Sequence, residues 1–580
     1  MADEEIPQTI HKLALINAVN YDGKAQMGAV MGKLLAEKPS LKIKAKEIGP
    51  LVEEIVKEVN KLSLSEQKKM VEKNWPEMLV KERVEEKKQL PKLPNVARYK
   101  HIVTRFSPNP DCAIHLGNAR AIVLCSEYAK MYKGIFILRF EDTDPRLKCS
   151  ALMFYDMIRE DLAWLGCKPD KEYIQSDRIP IYYEHAEKLL EAGNAYVCTC
   201  KTEESKKLLL AHEACKCRDL SPNQQLARWE KMLDGGFEEG EAVVRVKTDL
   251  NHPNPAVRDW PALRIIDPEK HPHPRVGDRY HVWPLYNLAA GVDDHLMRIS
   301  HIIRGKEHLT NQVRQEFMYR HFGWDYPEAI HYGRLKITGA YLSKSKILAG
   351  MREGMFTGWD DPRLATFAAL RRRGIQPEAI ERMIIDVGPK TQDVTLSWDN
   401  LYSYNRKIID PTTNRYFFVR EPIKLDVKSI APKNFIAKLP LHPDYPERGY
   451  RTFKIKPENG QVTFYVSTAD RGLFGKGKVI RLMELFNVRI EKSEEKTVEA
   501  VYHSHSYEDA KKSGAPLVHW LPLQTEVPCE VVMPDGSLTK GVAEQKCKEL
   551  QANDIVQFER FGFVRIDKVD EAIVAYFAHR

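Results

Sequence analysis

Phe106–Arg120 reads FSPNPDCAIHLGNAR, and the rest of the chain is arranged around its three parts. Just before it, HIVTRF (His101–Phe106) is a short apolar, β-branched run suited to a buried strand. Pro108, Asn109 and Pro110 then break regular structure. His115-Leu116-Gly117-Asn118 leads into AIVLCSEYAKMY, whose apolar residues recur at helical spacing. The expected order is strand, tight loop, helix. A helix start offers free N–H groups and a partial positive charge to phosphate. Gly117, with no Cβ, would let a flat base or ribose lie close to the backbone, and His115 and Asn118 are placed to reach phosphate oxygens. A plain helix start with one surface histidine is the alternative, and this stretch alone does not choose between them.

A second stretch does. Tyr341–Lys346 reads YLSKSK, more than two hundred residues further on. Together, HLGN and YLSKS resemble the paired nucleotide-binding motifs of class I aminoacyl-tRNA synthetases, HIGH and KMSKS. Asn118 stands for the second histidine, and Tyr341 and Leu342 for the leading lysine and methionine. The resemblance implies ATP binding by Pro108, His115, Gly117, Asn118, Ser343, Lys344 and Ser345, with Mg2+ as counterion. It makes His115 and Lys344 the catalytic pair, placing donor or positive groups on the triphosphate as diphosphate leaves.

At 580 residues the chain is too long for one core, and three to five domains are expected. With 43% hydrophobic and 29% charged residues it is an ordinary globular composition. The formal charge of +8 suits one basic face for a polyanion. MADEEIPQTI at the start is acidic and lacks a signal-peptide core, and no run approaches the eighteen or so apolar residues of a membrane span. Ten scattered cysteines without a secretory signal favour thiols or metal in a reducing compartment, hence cytoplasm, over a disulfide framework.

Residues 1 to about 95 are rich in Lys and Glu, with helical spacing in LALINAVNY and VEEIVKEVNKL. LSLSEQ (Leu62–Gln67) predicts a helix start capped by Ser65. GKAQMGAVMGKLL with LSLSEQ resembles the N-terminal extension of archaeal glutamyl-tRNA synthetases and, more distantly, tail domains of tRNA-dependent amidotransferases. That implies tRNA contact; simple packing on the body is the alternative. KKQLPKLPNV (Lys87–Val96) reads as a linker. GIFILRF (Gly134–Phe140) predicts a buried strand ending in Glu141-Asp142-Thr143-Asp144-Pro145-Arg146, where acidic residues face a ligand crevice. LRFEDTDPR resembles the glutamyl and glutaminyl branch of class I synthetases. The resemblance makes Glu141 the partner of the amino acid's α-ammonium group and Arg105 a further substrate contact.

Cys198 and Cys200 are followed, fourteen residues on, by Cys215 and Cys217. Two tight cysteine pairs so close together suit one structural tetrahedral Zn2+, with His212 as a substitute ligand. Pro268–Arg275 (PEKHPHPR) holds two histidines, but its prolines favour a loop over a metal tract. Asp293-Asp294-His295 also looks metal-like, although similar runs occur in this family without metal. HLMRISHIIRG (His295–Gly305) predicts a strand carrying Arg304 near its end. In the glutamyl branch an arginine here reads the substrate's side-chain carboxylate, and the glutaminyl branch has none in the equivalent motif. A guanidinium holds a carboxylate through two parallel charge-assisted bonds and would meet an amide with one acceptor fewer and no charge. Tyr286 would donate its hydroxyl or shape the pocket. An ordinary ion pair between Arg304 and Glu307 is the alternative. GWDDPR and LRRRG (Leu370–Gly374) resemble the same branch; Arg371, Arg372 and Arg373 form a basic cluster opening a helical stretch, a candidate tRNA contact. From about Asn405 the pattern alternates apolar and polar residues, with PENG and PDG turns, as in β-barrels. Two β-barrels mark archaeal glutamyl and all glutaminyl enzymes, and HPDYPERGYR fits them.

The resemblance spans nearly the whole chain. It implies an α/β catalytic core, Rossmann-like with a parallel sheet, an α-helical N-terminal extension and C-terminal all-β anticodon-binding barrels. The expected divisions are residues 1–97 (helical extension), 98–195 (first catalytic half), 196–275 (zinc-knot and acceptor-end insertion), 276–335 (second half), 336–404 (KMSKS-like loop and helical connector) and 405–580 (two barrels). The implied reaction activates L-glutamate with ATP and transfers it to tRNA(Glu); whether tRNA(Gln) is a second acceptor is left open. A monomer is expected, with the extension as the point of any association. The rivals are a glutaminyl enzyme, against which Arg304 stands, and a tRNA-binding scaffold without catalysis, against which His115, Lys344 and Glu141 stand.

Overall fold

Two units make up the chain, Met1–Lys88 and Gln89–Arg580, and each is described by itself. The structure, a computed structural model, describes residues 2–20, 23–38, 41, 45–75, 88–340, 344–431 and 434–580. The first unit contains helices α1 (Ala2–Asn20), α2 (Met27–Glu37), α3 (Ala45–Val59) and α4 (Leu64–Asn74). Their apolar faces meet in a core that includes Ile10, Leu13, Leu15, Leu34, Val52 and Val71. Buried Gln67 pins the unit by donating from Nε2 to the carbonyls of Gly23, Val59 and Leu62. The cap of α4 is Ser63, not Ser65. A capping box needs an acidic or amide residue three positions after the cap, and Ser63 has Glu66 there whereas Ser65 has Lys68.

The second unit opens on a run expected to be a linker, but its apolar residues anchor it. Leu90 and Leu93 are buried in the catalytic core, and the Leu93 N–H donates to Tyr132 Oη at 2.9 Å. Burial of two leucines, together about 3–6 kcal/mol of transfer free energy, holds a proline-containing segment in place. The parallel sheet follows: β1 (Val103–Phe106), α5 (Ala119–Met131), β2 (Ile135–Phe140), α6 (Leu152–Trp164) and β3 (Lys171–Ile174), with β2 between β1 and β3. Helix α7 (Ile179–Glu191) leads into a four-stranded antiparallel sheet of β4 (Ala195–Cys198), β5 (Val243–Val246), β6 (Pro261–Ile265) and β7 (Val282–Pro284). Helices α8 (Thr202–Leu210) and α9 (Pro222–Leu233) lie between its first two strands. This sheet shares one core with α7 and therefore extends beyond the expected 196–275 insertion at both ends.

The chain returns through α10 (Tyr286–Leu296), β8 (His301–Gly305), α11 (Leu309–Phe322) and β9 (Glu328–Tyr332), with β8 parallel to β9. The strand expected from His295 begins only at His301, because His295 and Leu296 close α10. Ser300 joins the two parallel pieces: its N–H donates to Val103 O at 3.0 Å and its Oγ accepts from Val103 N–H at 2.8 Å. The strand order is therefore β3-β2-β1-β8-β9, reversing direction of progress between β1 and β8. Ligands of doubly wound sheets bind at the carboxyl ends of the strands flanking such a switch point. Here those ends carry Arg105 and Arg304.

Beyond β9 come β10 (Leu335–Ile337), α12 (Lys344–Arg352), α13 (Phe367–Arg372), α14 (Pro377–Val387), β11 (Val394–Leu396) and α15 (Trp398–Ile409). The arginine cluster closes the short α13 and does not open the longer α14. Two seven-stranded sheets complete the chain, and each closes on itself in the same way. Arg415–Tyr416 pairs with one edge of the first sheet and Phe418–Arg420 with the other, so a single bend at Phe417 closes a barrel. In the second, Leu517–Val518 and Leu521–Pro522 take the two edges around His519 and Trp520. Closure removes exposed strand edges. Trp520, fully buried, fills the interior of the second barrel beside Phe464 and Phe453.

Candidate active site

Arg105, Arg139, Glu141, Asp294 and Arg304 lie around the switch point, all but Glu141 nearly inaccessible. Arg105 is forked onto Asp294 through Nε (3.0 Å) and Nη2 (3.2 Å), leaving Nη1 with no partner among the described residues. Arg139, on β2, donates to the same Asp294 at 2.7 Å and to Glu141 at 2.9 Å. Burial pushes the Asp294 carboxyl up, but the charges of Arg105 and Arg139 outweigh it and hold the group down at about 2. Glu141 is raised, because its burial outweighs the attraction of Arg139. Its backbone N–H donates to Pro108 O at 2.9 Å, tying the acidic turn to the first motif.

Arg304 is held differently. Nη1 and Nη2 both donate to Gln315 Oε1 at 3.2 Å, Nη2 donates to Tyr326 Oη at 3.0 Å, and Nη1 reaches Tyr286 Oη at 3.3 Å. Its Nε is buried without a partner, and no carboxylate pairs with Arg304 among the described residues. The ion pair with Glu307 does not form; Glu307 lies 3.9 Å from Arg334 instead. Two histidines face this corner. Burial first, then the charge of Arg304, lowers both His308 and His331 to about 4. Burial raises the Tyr286 phenol. Asp293, 3.9 Å from Arg139 Nε, is matched by Arg178, so the cluster of four guanidiniums and three carboxylates carries one excess positive charge, located on Arg304.

The nucleotide motif is built otherwise than expected. The N–H groups that a helix start would offer to phosphate are all taken. Leu116 N–H donates to Ala365 O (2.8 Å), Gly117 N–H to His115 Nδ1 (3.0 Å), Asn118 N–H to His115 O (2.8 Å) and Ala119 N–H to Leu116 O. Gly117 is needed for a different neighbour, since a Cβ there would lie 2.7 Å from the His115 ring. With Nδ1 accepting and burial lowering the imidazole's pKa, His115 is neutral and carries its proton on Nε2. Asn118 Oδ1 accepts from His115 N–H at 3.2 Å, which leaves its amide NH2 as a donor. Across the crevice Lys344 Nζ pairs with Asp111 at 2.7 Å. Ser345 sits beside it at the start of α12, and Ser343 lies outside the described residues. Ser107 Oγ and Asn109 Oδ1, flanking Pro108, are buried and unpartnered, as groups awaiting a polar ligand would be.

The four thiols of Cys198, Cys200, Cys215 and Cys217 all lie within 4.8 Å of one another. Cys198–Cys215 and Cys200–Cys217 are each 3.9 Å apart, too far for a disulfide. The edge of a tetrahedron with Zn–S bonds of about 2.3 Å is about 3.8 Å, so the donor set fits that ion. His212 is not part of the cluster. Asp293-Asp294-His295 is no metal site either. Asp293 accepts from Gln175, Arg178 and Tyr182, Asp294 from the two arginines, and the His295 ring stacks on Trp324 at 3.7 Å. His273 of the proline-rich tract lies in a loop and bonds to Asp142 O at 2.9 Å.

The three arginines expected to meet tRNA occupy three environments. Arg371 is exposed. Arg372 pairs with Asp360 at 2.8 Å and lies over the Tyr576 ring. Arg373 is buried, donating to Ala578 O, Phe577 O and Tyr402 Oη. A guanidinium so enclosed is a strut between connector and barrel, and Arg373, contrary to expectation, is out of reach of tRNA. Asp111, Arg139, Asp294, Gln315 and Tyr326 were missed. None had a signal in the sequence for this role.

The family model described as "tRNA synthetases class I (E and Q), catalytic domain" matches residues 101–411. Two models described as the anti-codon binding domain of the same family match 413–506 and 517–567. The glutamate–tRNA ligase of Pyrococcus furiosus is 54% identical over 99% of this chain and 100% of its own length. That of Thermococcus kodakarensis is 53% identical over the whole of both chains. A solved glutamate tRNA ligase from Elizabethkingia meningosepticum, in complex with its amino acid, is 22% identical, with a TM-score of 0.41 over 54% of this chain and 71% of that one. Matched by the catalytic and anticodon-binding models and more than half identical end to end to those archaeal relatives, the chain belongs to the class I tRNA synthetases (E and Q), among the glutamate–tRNA ligases.

Proposed function

We propose that the chain activates L-glutamate with ATP, releasing diphosphate, and transfers the glutamyl group to the 3′ end of tRNA(Glu), releasing AMP. The observation that carries this reading is Arg304: a buried guanidinium held only by neutral oxygens. Glutamate carries one net negative charge at neutral pH and would cancel the excess charge of the cluster; neutral glutamine would leave it buried and uncompensated. The substrate's side-chain carboxylate goes to Arg304 and Tyr286, its α-ammonium group to Glu141, and Arg105 offers its remaining Nη1.

In the first step the α-carboxylate attacks the α-phosphorus and diphosphate leaves. His115 donates from Nε2 and Lys344 brings its positive charge to the oxygens on which negative charge builds. Paired with Asp111 through one contact, the Lys344 ammonium keeps further N–H donors for phosphate oxygens. Pro108, Gly117, Asn118 and Ser345 shape the nucleotide side of the crevice, Ser343 belonging to the same motif. In the second step the ribose hydroxyl of tRNA attacks the activated carbonyl and AMP leaves. The protein's part is positioning and charge stabilisation. Among the described residues the one cluster of three or more metal-ligating groups is the four cysteines, so Mg2+ would be held chiefly by the triphosphate it accompanies. Zn2+ held by Cys198, Cys200, Cys215 and Cys217 would cross-link the start of the insertion, beside the core its sheet shares with α7. Two lobes of the barrels suit the anticodon of tRNA, with Arg371 and Arg372 as further phosphate contacts. No described helix is long and apolar enough to cross a membrane.

The test is aminoacylation of pure tRNA(Glu) and tRNA(Gln), each with labelled glutamate and glutamine. Glutamate on tRNA(Glu) is the expected product, and its appearance on tRNA(Gln) as well would define a relaxed acceptor range. Glutamine as the attached amino acid would overturn the role of Arg304, and no product would favour a non-catalytic scaffold.

A further inference from the structure

Gln315 lies on α11 and has no solvent exposure. Its Oε1 takes both terminal nitrogens of Arg304 at 3.2 Å and the hydroxyl of Tyr326 at 2.8 Å. The amide orientation is dictated by chemistry. Turned over, Gln315 would set an NH2 group against guanidinium N–H donors. Tyr326 adds a second oxygen to Arg304 Nη2 at 3.0 Å while donating its own proton to Gln315, so the three groups form one hydrogen-bonded unit, with Arg304 Nε and Gln315 Nε2 left buried and unpartnered. Gln315 therefore orients Arg304 as Asp294 orients Arg105, but with a single oxygen bridging Nη1 and Nη2 where Asp294 presents two oxygens to Nε and Nη2. It differs in carrying no charge.

We propose that Gln315 is a specificity-determining positioning residue, orienting Arg304 through a neutral bridging oxygen so that the guanidinium charge stays available to the carboxylate side chain of the amino-acid substrate. This rests on the reading of Arg304 as the partner of that carboxylate. An acid at position 315 would make the same bonds but neutralise the arginine, and an apolar residue would leave it unoriented.

Gln315→Glu is nearly isosteric and tests charge; Gln315→Met keeps volume and tests orientation. Both are assayed by aminoacylation of tRNA(Glu), with KM measured for glutamate and ATP separately and Arg304→Ala alongside. The expected result is a rise of glutamate KM of about 100-fold for Gln315→Glu and about 10-fold for Gln315→Met, with ATP KM within about threefold of the parent. If Gln315→Glu does not fold, Gln315→Met alone must show its selective rise. A glutamate KM within twofold of the parent in the folded variants, while Arg304→Ala raises it, overturns the role of Gln315. Equal rises for glutamate and ATP overturn it too, since a merely structural residue would act that way. No effect of Arg304→Ala overturns the pocket reading beneath it.

Discussion

Arg105 and Arg304 lie at the ends of neighbouring parallel strands, both buried, and each gives two N–H bonds to one side chain on a helix. At Arg105 the acceptor is a carboxylate, Asp294, shared with Arg139. At Arg304 it is an amide, Gln315, assisted by two phenols. A buried ion costs several kcal/mol of desolvation, and the two corners recover that cost differently. The first is compensated within the chain, and Arg105 has only its Nη1 hydrogen bond left to offer a substrate. The second is compensated only in hydrogen bonding, and its charge is left for something that arrives from outside. Burial alone does not tell which arginine keeps its charge for a ligand; the formal charge of the acceptor does.

The largest effect is expected where compensation is internal. Asp294→Asn leaves buried Arg105 without a carboxylate and Arg139 with only Glu141 and the more distant Asp293, and should lower stability by about 3–5 kcal/mol in urea unfolding. A loss below about 1 kcal/mol would mean that Arg105 finds another partner, and the contrast between the corners would fail. The acid sensitivity of this corner follows from the same group. Asp294 titrates near 2 when folded, below its ordinary value of 3.8. Its stabilisation is therefore complete above about pH 4 and is lost as pH falls towards 2.

At the other corner the effect should appear in binding. Arg304→Ala is expected to raise the glutamate KM about 100-fold, roughly 2.7 kcal/mol, with ATP KM within about threefold and little change in stability. Removing this arginine leaves Tyr286, Gln315 and Tyr326 to bond one another or water, so no charge is stranded. Equal losses for glutamate and ATP, or a stability loss like that of Asp294→Asn, would erase the distinction.

The two arginines were equally visible in the sequence, and their difference was not. Strand, tight loop and helix around HLGN can be read from local patterning, because apolar period and proline placement act within a few residues. So can the four cysteines, whose spacing is itself a geometric constraint. Asp294 comes to Arg105 from 189 positions away and Gln315 to Arg304 from the next helix, and neither contact leaves a periodic trace. The same distance hid the strut role of Arg373, whose partners are the last residues of the chain. The helix start at Gly117 misled for another reason. Its N–H groups are free in an isolated helix, but here His115 and the carbonyl of Ala365 had already claimed them.

The smallest effect expected is also the most direct reading of whether Arg304 is uncompensated. His308 accepts at Nδ1 from the Asn311 amide at 3.0 Å and lies against Tyr286, ring centroids 5.4 Å apart. Burial, and after it the charges of Arg304 and Arg105, holds it at about 4 against an ordinary 6.5. A folded value below the unfolded one means that His308 adds stability fully above pH 6.5 and loses it as pH falls towards 4. A carboxylate placed on Arg304 removes part of the second cause and leaves the first. Saturating glutamate should therefore move the His308 titration upward without restoring it to 6.5, followed by NMR of histidine-labelled protein. Binding then takes up a fraction of a proton, so glutamate affinity should strengthen slightly between pH 6.5 and 5, above the range in which the substrate's own carboxylate protonates. In Arg304→Ala the titration should already be raised and should cease to respond to glutamate. A titration unmoved by glutamate in the parent protein would mean that the charge of Arg304 is cancelled before substrate arrives, and the two corners would then be alike.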